Sequence, residues 1–210
     1  MISIILPAYN EEKAIKQSID KINEVMNKIK KYSYEIIVID DGSNDNTYEH
    51  AKKTNAKVIK NPHNLGYGIS LKKCIEAAKY ETLIICDADL SYPVDAIPDL
   101  IKKKEEGYDM VVGQRTGKFY KESPIKFPFR IILRFLVEYV AERKIPDINS
   151  GLRIFRKHWI SKKNEVSDKH VDYIKINKSL NELKANIQLA KNKFSIGSLD
   201  FEDVYKTIVK

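Results

Sequence analysis

Apolar positions along the chain keep two different periods. Residues 2–6, 35–39 (EIIVI), 58–59, 82–86 (TLIIC) and 109–112 are short apolar runs rich in β-branched side chains, and each reads as a strand buried on both faces. Between the first two, Ile15, Ile19, Ile22, Met26 and Ile29 recur at three and four residues across 11–31. That spacing predicts a helix with one buried stripe. Further helices are predicted over about 45–54, 67–79 and 94–106, the last with Pro93 just before it. Asn61-Pro62-His63-Asn64 supplies turn chemistry between the third strand and the third helix. Strand and helix in strict alternation predict an α/β fold, a mostly parallel sheet with helices on both faces.

After Arg115 the pattern changes. Residues 125–140 (IKFPFRIILRFLVEYV) are apolar round most of a helical circumference, with Arg130, Arg134 and Glu138 four apart on one polar stripe. Residues 147–156 (DINSGLRIFR) read as a turn followed by a strand. From 161 the chain is rich in Lys and Asn. Ile176, Leu180, Leu183, Ile187 and Ala190 predict one amphipathic helix there, and Phe201, Val204, Tyr205 and Ile208 another. The expected organisation is one domain over 1–160 and a helical C-terminal segment over 161–210, packed on it or trailing it. No internal repeat or low-complexity tract is present.

Composition narrows the class. Over 210 residues, 43% hydrophobic and 31% charged side chains exclude a disordered or collagen-like chain. Two cysteines, Cys74 and Cys86, are too few for a disulfide scaffold and point to a reducing compartment, with Cys86 as a small core residue. The opening apolar run is five residues long with no basic flank, so neither a signal peptide nor an anchor is expected. No apolar stretch reaches bilayer-spanning length, so the expectation is a protein in solution or on a membrane surface. The net charge of +8, from 37 Lys+Arg against 29 Asp+Glu, suits an anionic partner: nucleic acid, a phosphorylated substrate or acidic headgroups. Many lysines, such as Lys28, Lys30, Lys31 and Lys102 to Lys104, fall on outer helix faces and simply solvate the surface.

The chemistry gathers where the strands end. In parallel sheets ligands bind at the carboxyl ends of the strands. Those ends carry Pro7-Ala8-Tyr9-Asn10, Asp40-Asp41-Gly42-Ser43, Asp87-Ala88-Asp89 and Gln114-Arg115. Asp87 and Asp89 can reach one hard divalent cation, and Mg²⁺ or Mn²⁺ keeps positions open for phosphate oxygens; the alternative is a solvated acidic turn. Asp40 and Asp41 can accept hydrogen bonds from a base or ribose, with Gly42 letting the backbone turn beneath a ligand; the alternative is an Asx-turn. Main-chain groups and the Tyr9 ring within residues 7–12 can hold a base, although Asn10 capping the first helix explains the same letters. Asn64-Leu65-Gly66-Tyr67-Gly68 lacks the third glycine of a dinucleotide fingerprint, and no Walker A sequence occurs. Arg115, Arg130, Arg134, Arg153 and Arg156 form a basic set suited to phosphates. His63 and His158 have no metal-ligand spacing and are expected to be structural or exposed. Nothing resembles a Ser-His-Asp arrangement.

Six segments in this order, Leu6 to Glu12, Ile39 to Ser43, Asn61 to Gly66, Asp87-Ala88-Asp89, Gly113-Gln114-Arg115 and Asp147 to Arg156, resemble the GT-A-fold inverting glycosyltransferases. The resemblance is specifically to dolichyl-phosphate-mannose synthases and their polyprenyl-phosphate relatives, and it covers roughly the first three quarters of the chain. The resemblance implies that Pro7, Ala8, Tyr9, Glu11, Asp40 and Asp41 line a nucleoside pocket. Asp87 and Asp89 would lie at the metal and diphosphate, with Ser91 standing where the family has a glutamine ligand. Arg115 would face the acceptor phosphate, joined by Arg130 or Arg134, and Asp147 and Ser150 would border sugar and acceptor. Asp89, Arg115 and Asp147 are the residues expected to carry the catalysis.

By the same resemblance, the donor is a nucleotide sugar (GDP-mannose or UDP-glucose) held with Mg²⁺ or Mn²⁺. The acceptor is a polyprenyl or dolichyl phosphate, and the hexose moves with inversion. An anionic phosphate acceptor needs no base; a saccharide hydroxyl would, and Asp147 is the candidate. The implied location is peripheral, on the cytoplasmic face of a membrane, without nucleic-acid binding. Residues 125–140 would lie in the membrane interface or against a membrane-protein partner or second copy; the alternative is burial under the C-terminal helices. The Glu-Val-Pro and basic motif that completes the family's acceptor side is absent from 161–210. That favours a degenerate transferase kept as a nucleotide-sugar-binding or scaffold subunit, while the intact acids oppose it. A nucleotidyltransferase would show a Gly-rich loop after the first strand, and residues 7–12 have none.

Overall fold

The computed structural model describes residues 1–116, 147, 150–158 and 171–177, with residues 115–116 and 171–177 described by backbone alone. The strands divide their side chains between two layers, and that division puts helices on both sides. In β1 (Ile2–Ala8), Ile2, Ile4, Leu6 and Ala8 enter one layer and Ile5 the other. In β2 (Tyr34–Asp40), Ile36 and Val38 oppose Ile37 and Ile39 in the same way. The strand period of two fixes this alternation, and filling both faces is what makes the runs continuously apolar.

The first layer is roofed by α1 (Ile15–Ile29), α2 (Thr47–Lys52) and α4 (Ile97–Glu105). Ile15, Ile19, Ile22 and Met26 of α1 are fully buried, each worth about 1.5–3 kcal/mol relative to exposure. The helix stops at Lys30, which takes a left-handed φ of 54° while its N–H returns to Met26 O. α4 is preceded by a 3₁₀ turn at Val94–Ala96, holds Asp99 in its first turn and has Lys102, Lys103 and Lys104 in its last, charges that suit its dipole. On the second layer α3 (Tyr67–Ala77) sets Cys74 and Ile75 against Ile5, Ile37 and Ile85. Neither cysteine is in a disulfide; both are buried, which raises both thiols, Cys74 to about 12.

The other strands are β3 (Lys57–Lys60), β4 (Thr82–Ile85), β5 (Met110–Thr116), β6 (Arg153–Arg156) and β7 (Val171–Asn177). They form one seven-stranded sheet in the order β3-β2-β1-β4-β6-β5-β7. All neighbours are parallel except around β6, which runs against both β4 and β5. β5 therefore points the same way as β1, β2 and β4, and its end at Arg115 reaches the same edge. The register keeps that edge flush, with Ala8 beside Asp40, Asp40 beside Lys60 and Ile5 beside Ile85. Pro7 is tolerated on a central strand because its nitrogen faces β4, as Ile5 does, and the β4 ladder ends at Ile85.

β7 carries the sheet past residue 160. Ile176, expected to open an amphipathic helix, lies on this strand beside Arg115. The chain separates into Met1–Lys178 and Ser179–Lys210. The helices expected over 125–140 and beyond 178 lie outside the described residues. Among the described residues no helix is long and apolar enough to cross a membrane.

Candidate active site

The segment after β1 and the segment after β2 are joined by hydrogen bonds. The Asn10 amide donates to Ser43 Oγ (2.9 Å), that of Glu11 to Thr47 Oγ1 (2.7 Å) and that of Glu12 to Asp45 Oδ2 (3.2 Å). In return Asn10 Oδ1 accepts the Asn44 amide, and Glu12 Oε2 that of Asn46. Asn10 thus does not cap α1, which begins five residues later. It takes a left-handed φ of 56° and serves the cross-link instead.

Asp40 is fully buried at the end of β2. Its Oδ1 accepts the Ser43 amide at 3.1 Å, and its Oδ2 has no partner among the described residues. A buried carboxylate oxygen left unpaired costs free energy that a bound donor group would recover. Gly42 follows with φ +71°, and a Cβ there would lie 2.6 Å from His63 Cα. Two backbones meet at this point, and only glycine fits. The cleft beside them has a volume of about 350 Å³ and is lined by Tyr9 and residues 42–44 together with Lys60 and residues 62–64. Asp41, expected to share the nucleoside pocket, turns both oxygens toward residues 61–66. They accept from Asn61 Nδ2 and from the amides of Leu65 and Gly66. Burial opposes its ionisation, but the donors from Leu65, Asn61, Ser70 and Gly66 outweigh it and hold its pKa below the ordinary value.

The acid turn after β4 is held from beneath. Ala88 is buried in the core and its carbonyl accepts Ser18 Oγ of α1 at 2.7 Å. Asp87, half-buried, lies directly over Gly151, where a Cβ would sit 2.5 Å from the carboxylate carbon. The Gly151 amide donates to the hydroxyl of buried Tyr92 at 2.6 Å. Asp89 is exposed and its Oδ1 accepts the Ser91 amide at 2.8 Å, an Asx-turn continued by Leu90 at φ 59°. The Tyr67 phenol is pushed up to about 12, first by desolvation and then by the charge of Asp87. Among the described residues no three acidic, His or Cys side chains gather round one point. Two carboxylates and a nearby hydroxyl suit a hard cation that takes its other oxygens from a diphosphate and water.

The remaining sequence candidates fall as follows. Ser150 is fully buried, its hydroxyl donating to Gly113 O at 2.6 Å, and its carbonyl accepts from Arg153 Nε. Asp147 is half-buried just before it. The Arg115 backbone is at the end of β5, on the edge shared with Asp40 and Asp87. Its side chain, and Arg130 and Arg134 entirely, lie outside the described residues. Arg156 pairs with Asp109 at 3.5 Å, and exposed His158 contacts Glu81. His63 is exposed as expected, yet it lines the cleft.

A family model described as Glycosyl transferase family 2 matches residues 3–162, a span that contains every one of these strand ends. The chain belongs to glycosyl transferase family 2. Among curated relatives, a dolichol-phosphate mannosyltransferase of Pyrococcus furiosus is 31% identical over 165 residues, covering 74% of this chain and 46% of its own length. An undecaprenyl-phosphate 4-deoxy-4-formamido-L-arabinose transferase of Yersinia pestis is 29% identical over 163 residues, covering 75% and 49%. The chain thus spans about half the length of the curated relatives it matches. A solved glucosyl-3-phosphoglycerate synthase of Mycobacterium tuberculosis, in complex with Mn²⁺, UDP and phosphoglyceric acid, superposes with a TM-score of 0.67 at 20% identity. It covers 95% of this chain and 80% of that one, and the likeness establishes the GT-A fold.

Within this family 2 chain, sequence reasoning missed Lys60 and His63 in the cleft wall, and Tyr92 and Gly151 under the acid turn. The stretch from Asn61 to Gly66 was visible as a motif, but nothing in it tells that Asp41 is its partner. Gly151 gave no signal of its own, because the side chain it accommodates is Asp87, far away in sequence.

Proposed function

We propose that this chain is the catalytic part of an inverting hexosyltransferase. It moves mannose or glucose from a nucleotide-diphosphate sugar to a polyprenyl phosphate at the cytoplasmic face of a membrane, on which it sits peripherally. The observation that carries this reading is the common rim. Asp40 Oδ2, which has no partner among the described residues, the cleft beside Gly42, and the Asp87 and Asp89 turn all stand at the carboxyl ends of β2, β1 and β4, three neighbouring parallel strands. On this reading Asp40 would offer its oxygen to a base N–H, Tyr9 supplies part of the cleft lining, and Pro7, Ala8 and Glu11 would complete the nucleoside pocket. Asp87 and Asp89, with Ser91, are the residues that would hold Mg²⁺ or Mn²⁺ against the donor diphosphate. When bound, the cation neutralises charge on the departing nucleotide.

The acceptor phosphate oxygen attacks the anomeric carbon as the bond to the diphosphate breaks, which inverts that centre. The acceptor is already anionic near neutral pH, so its attack needs no general base. Arg115, at the end of β5, would orient the acceptor phosphate together with Arg130 or Arg134. Asp147 would be the base if the acceptor were a saccharide hydroxyl.

The test is a panel of GDP- and UDP-sugars with dolichyl phosphate and Mn²⁺ or Mg²⁺, read as label extracted into lipid. Transfer is expected, and Asp89→Ala is expected to reduce it by about 100-fold or more. Equal rates in the two proteins would remove the metal role. No transfer or donor hydrolysis with any member would leave a binding subunit in place of an enzyme.

A further inference from the structure

The buried face of α1 is apolar except at one place. Ile15, Ile19, Ile22, Val25 and Met26 fill it, and Ser18 stands among them at 1% exposure. A serine inside a helix often turns its hydroxyl back to a carbonyl of the preceding turn. Ser18 instead sends its one hydroxyl proton to the carbonyl of Ala88 at 2.7 Å, while its amide makes the ordinary helical bond to Ala14 O. Ala88 lies past Ile85, the last ladder residue of β4, so the sheet does not serve that carbonyl. A buried carbonyl without a donor costs free energy, and that cost explains a hydroxyl in an otherwise apolar stripe. Ala88 is itself 2% exposed and belongs to the same core as Ile15 and Ile19. Its methyl and its carbonyl are both held below the turn, with Asp87 half-buried and Asp89 exposed on either side.

The other end of this bond leads toward the cleft. The amides of Ala14 and Ile15 both donate to Glu11 O, the Glu11 amide donates to Thr47 Oγ1, and Tyr9, just before it, lines the cleft. Bonded in this way, residues 11–18 form a short stiff strut. Tyr92 ties the acid turn to the start of β6 through Gly151, whereas Ser18 ties it to the strut. We infer that Ser18 is a positioning residue: by holding the Ala88 carbonyl it fixes the acid turn to the first turn of α1, and so sets the span between the end of β1 and the pair Asp87 and Asp89. The inference rests on the reading above that a nucleoside diphosphate lies along this rim, with its base beside Tyr9 and its diphosphate at the acid turn. A ligand engaged at both ends is sensitive to the span between them. A ligand engaged through its base alone is not.

The experiment compares wild type with Ser18→Ala, Ser18→Cys and Ile22→Val, the last a loss of one methylene from the same buried face. Kd values for UDP, GDP, UMP and GMP are measured by calorimetry with Mn²⁺ present, and amide exchange at Ser91 is followed without ligand. Ser18→Ala is expected to weaken whichever diphosphate binds by about tenfold, and Ser18→Cys, a weaker donor of similar size, by about threefold. The corresponding monophosphate changes by less than about twofold in both. Exchange at Ser91, whose amide closes the turn on Asp89, speeds up in Ser18→Ala and not in Ile22→Val. Should Ser18→Ala fail to fold, Ser18→Cys carries the test. Equal weakening of mono- and diphosphate, unchanged Kd values throughout, or the same selective loss in Ile22→Val overturns the inference. A wild type that binds neither diphosphate overturns the functional reading and the span argument with it, while exchange at Ser91 still judges the hold on the turn.

Discussion

The two sides of the rim reach order by different means. On the side of β1, β2 and β3, loop is bonded to loop. Asn10, Glu11 and Glu12 pair with Ser43, Thr47 and Asp45, and Asp41 holds Leu65 and Gly66. On the side of β4, β6 and β5, one carboxylate rests on one glycine, and a tyrosine hydroxyl holds that glycine in place. The first construction spreads its strength over many modest bonds, so single losses should be partial. The second includes one close fit between a carboxylate and a glycine, and a single added methyl there should be severe.

The sharpest way to break this contrast is Gly151→Ala. Its Cβ would lie 2.5 Å from the Asp87 carboxylate carbon, so the acid must move. On the proposed function, the apparent affinity for Mn²⁺ in sugar transfer falls about 100-fold, while metal-free nucleotide binding changes little. A metal titration that superposes on wild type would refute the close-fit description. Gly42→Ala should do the converse with a smaller effect. It strains φ +71° and presses on His63, costing about 2 kcal/mol of stability in a urea melt. It should weaken nucleotide binding without altering the Mn²⁺ midpoint.

The smallest expected effect is a pH dependence. Asp41 has its pKa held below the ordinary 3.8, so the folded state binds its proton less readily than the unfolded chain does. Its contribution is fully present above that ordinary value and is lost as pH falls through the lower folded value. Thermal melts of Asp41→Asn should therefore lose a part of the wild-type decline on the acid side. Parallel declines in the two proteins would show that the carboxylate adds nothing to that limb.

The same contrast explains what could be read in advance. The strands from β1 to β5 and the helices between them were legible because each carries its own periodicity, and the acids were legible because they follow a strand directly. The mutual bonding of Asn10 with Asn44, and of Asp41 with Leu65 and Gly66, was not. A polar turn offers the same letters whether it caps its own helix or bonds a distant loop, which is why a cap of α1 by Asn10 stood as the alternative reading. β7 was missed because Ile176 satisfies two periods at once. With Leu180 and Leu183 it looks helical, and with Ile174 it alternates as a strand. Sheet pairing with β5 decides the matter, and no local window contains β5. Gly151 and Tyr92 lie beyond local reading for the same reason, since their partners are brought together only by the crossing of β6.

The reversed direction of β6 has an evolutionary consequence. The described chain leaves the sheet at Thr116 and is back at Ser150, and both points belong to the edge that carries Asp40 and Asp87. Both ends of the stretch between Thr116 and Ser150 are therefore held at the candidate site. On the proposed function, lineages could vary this stretch and so change the acceptor served, with the registers of β1 to β4 and the donor side untouched.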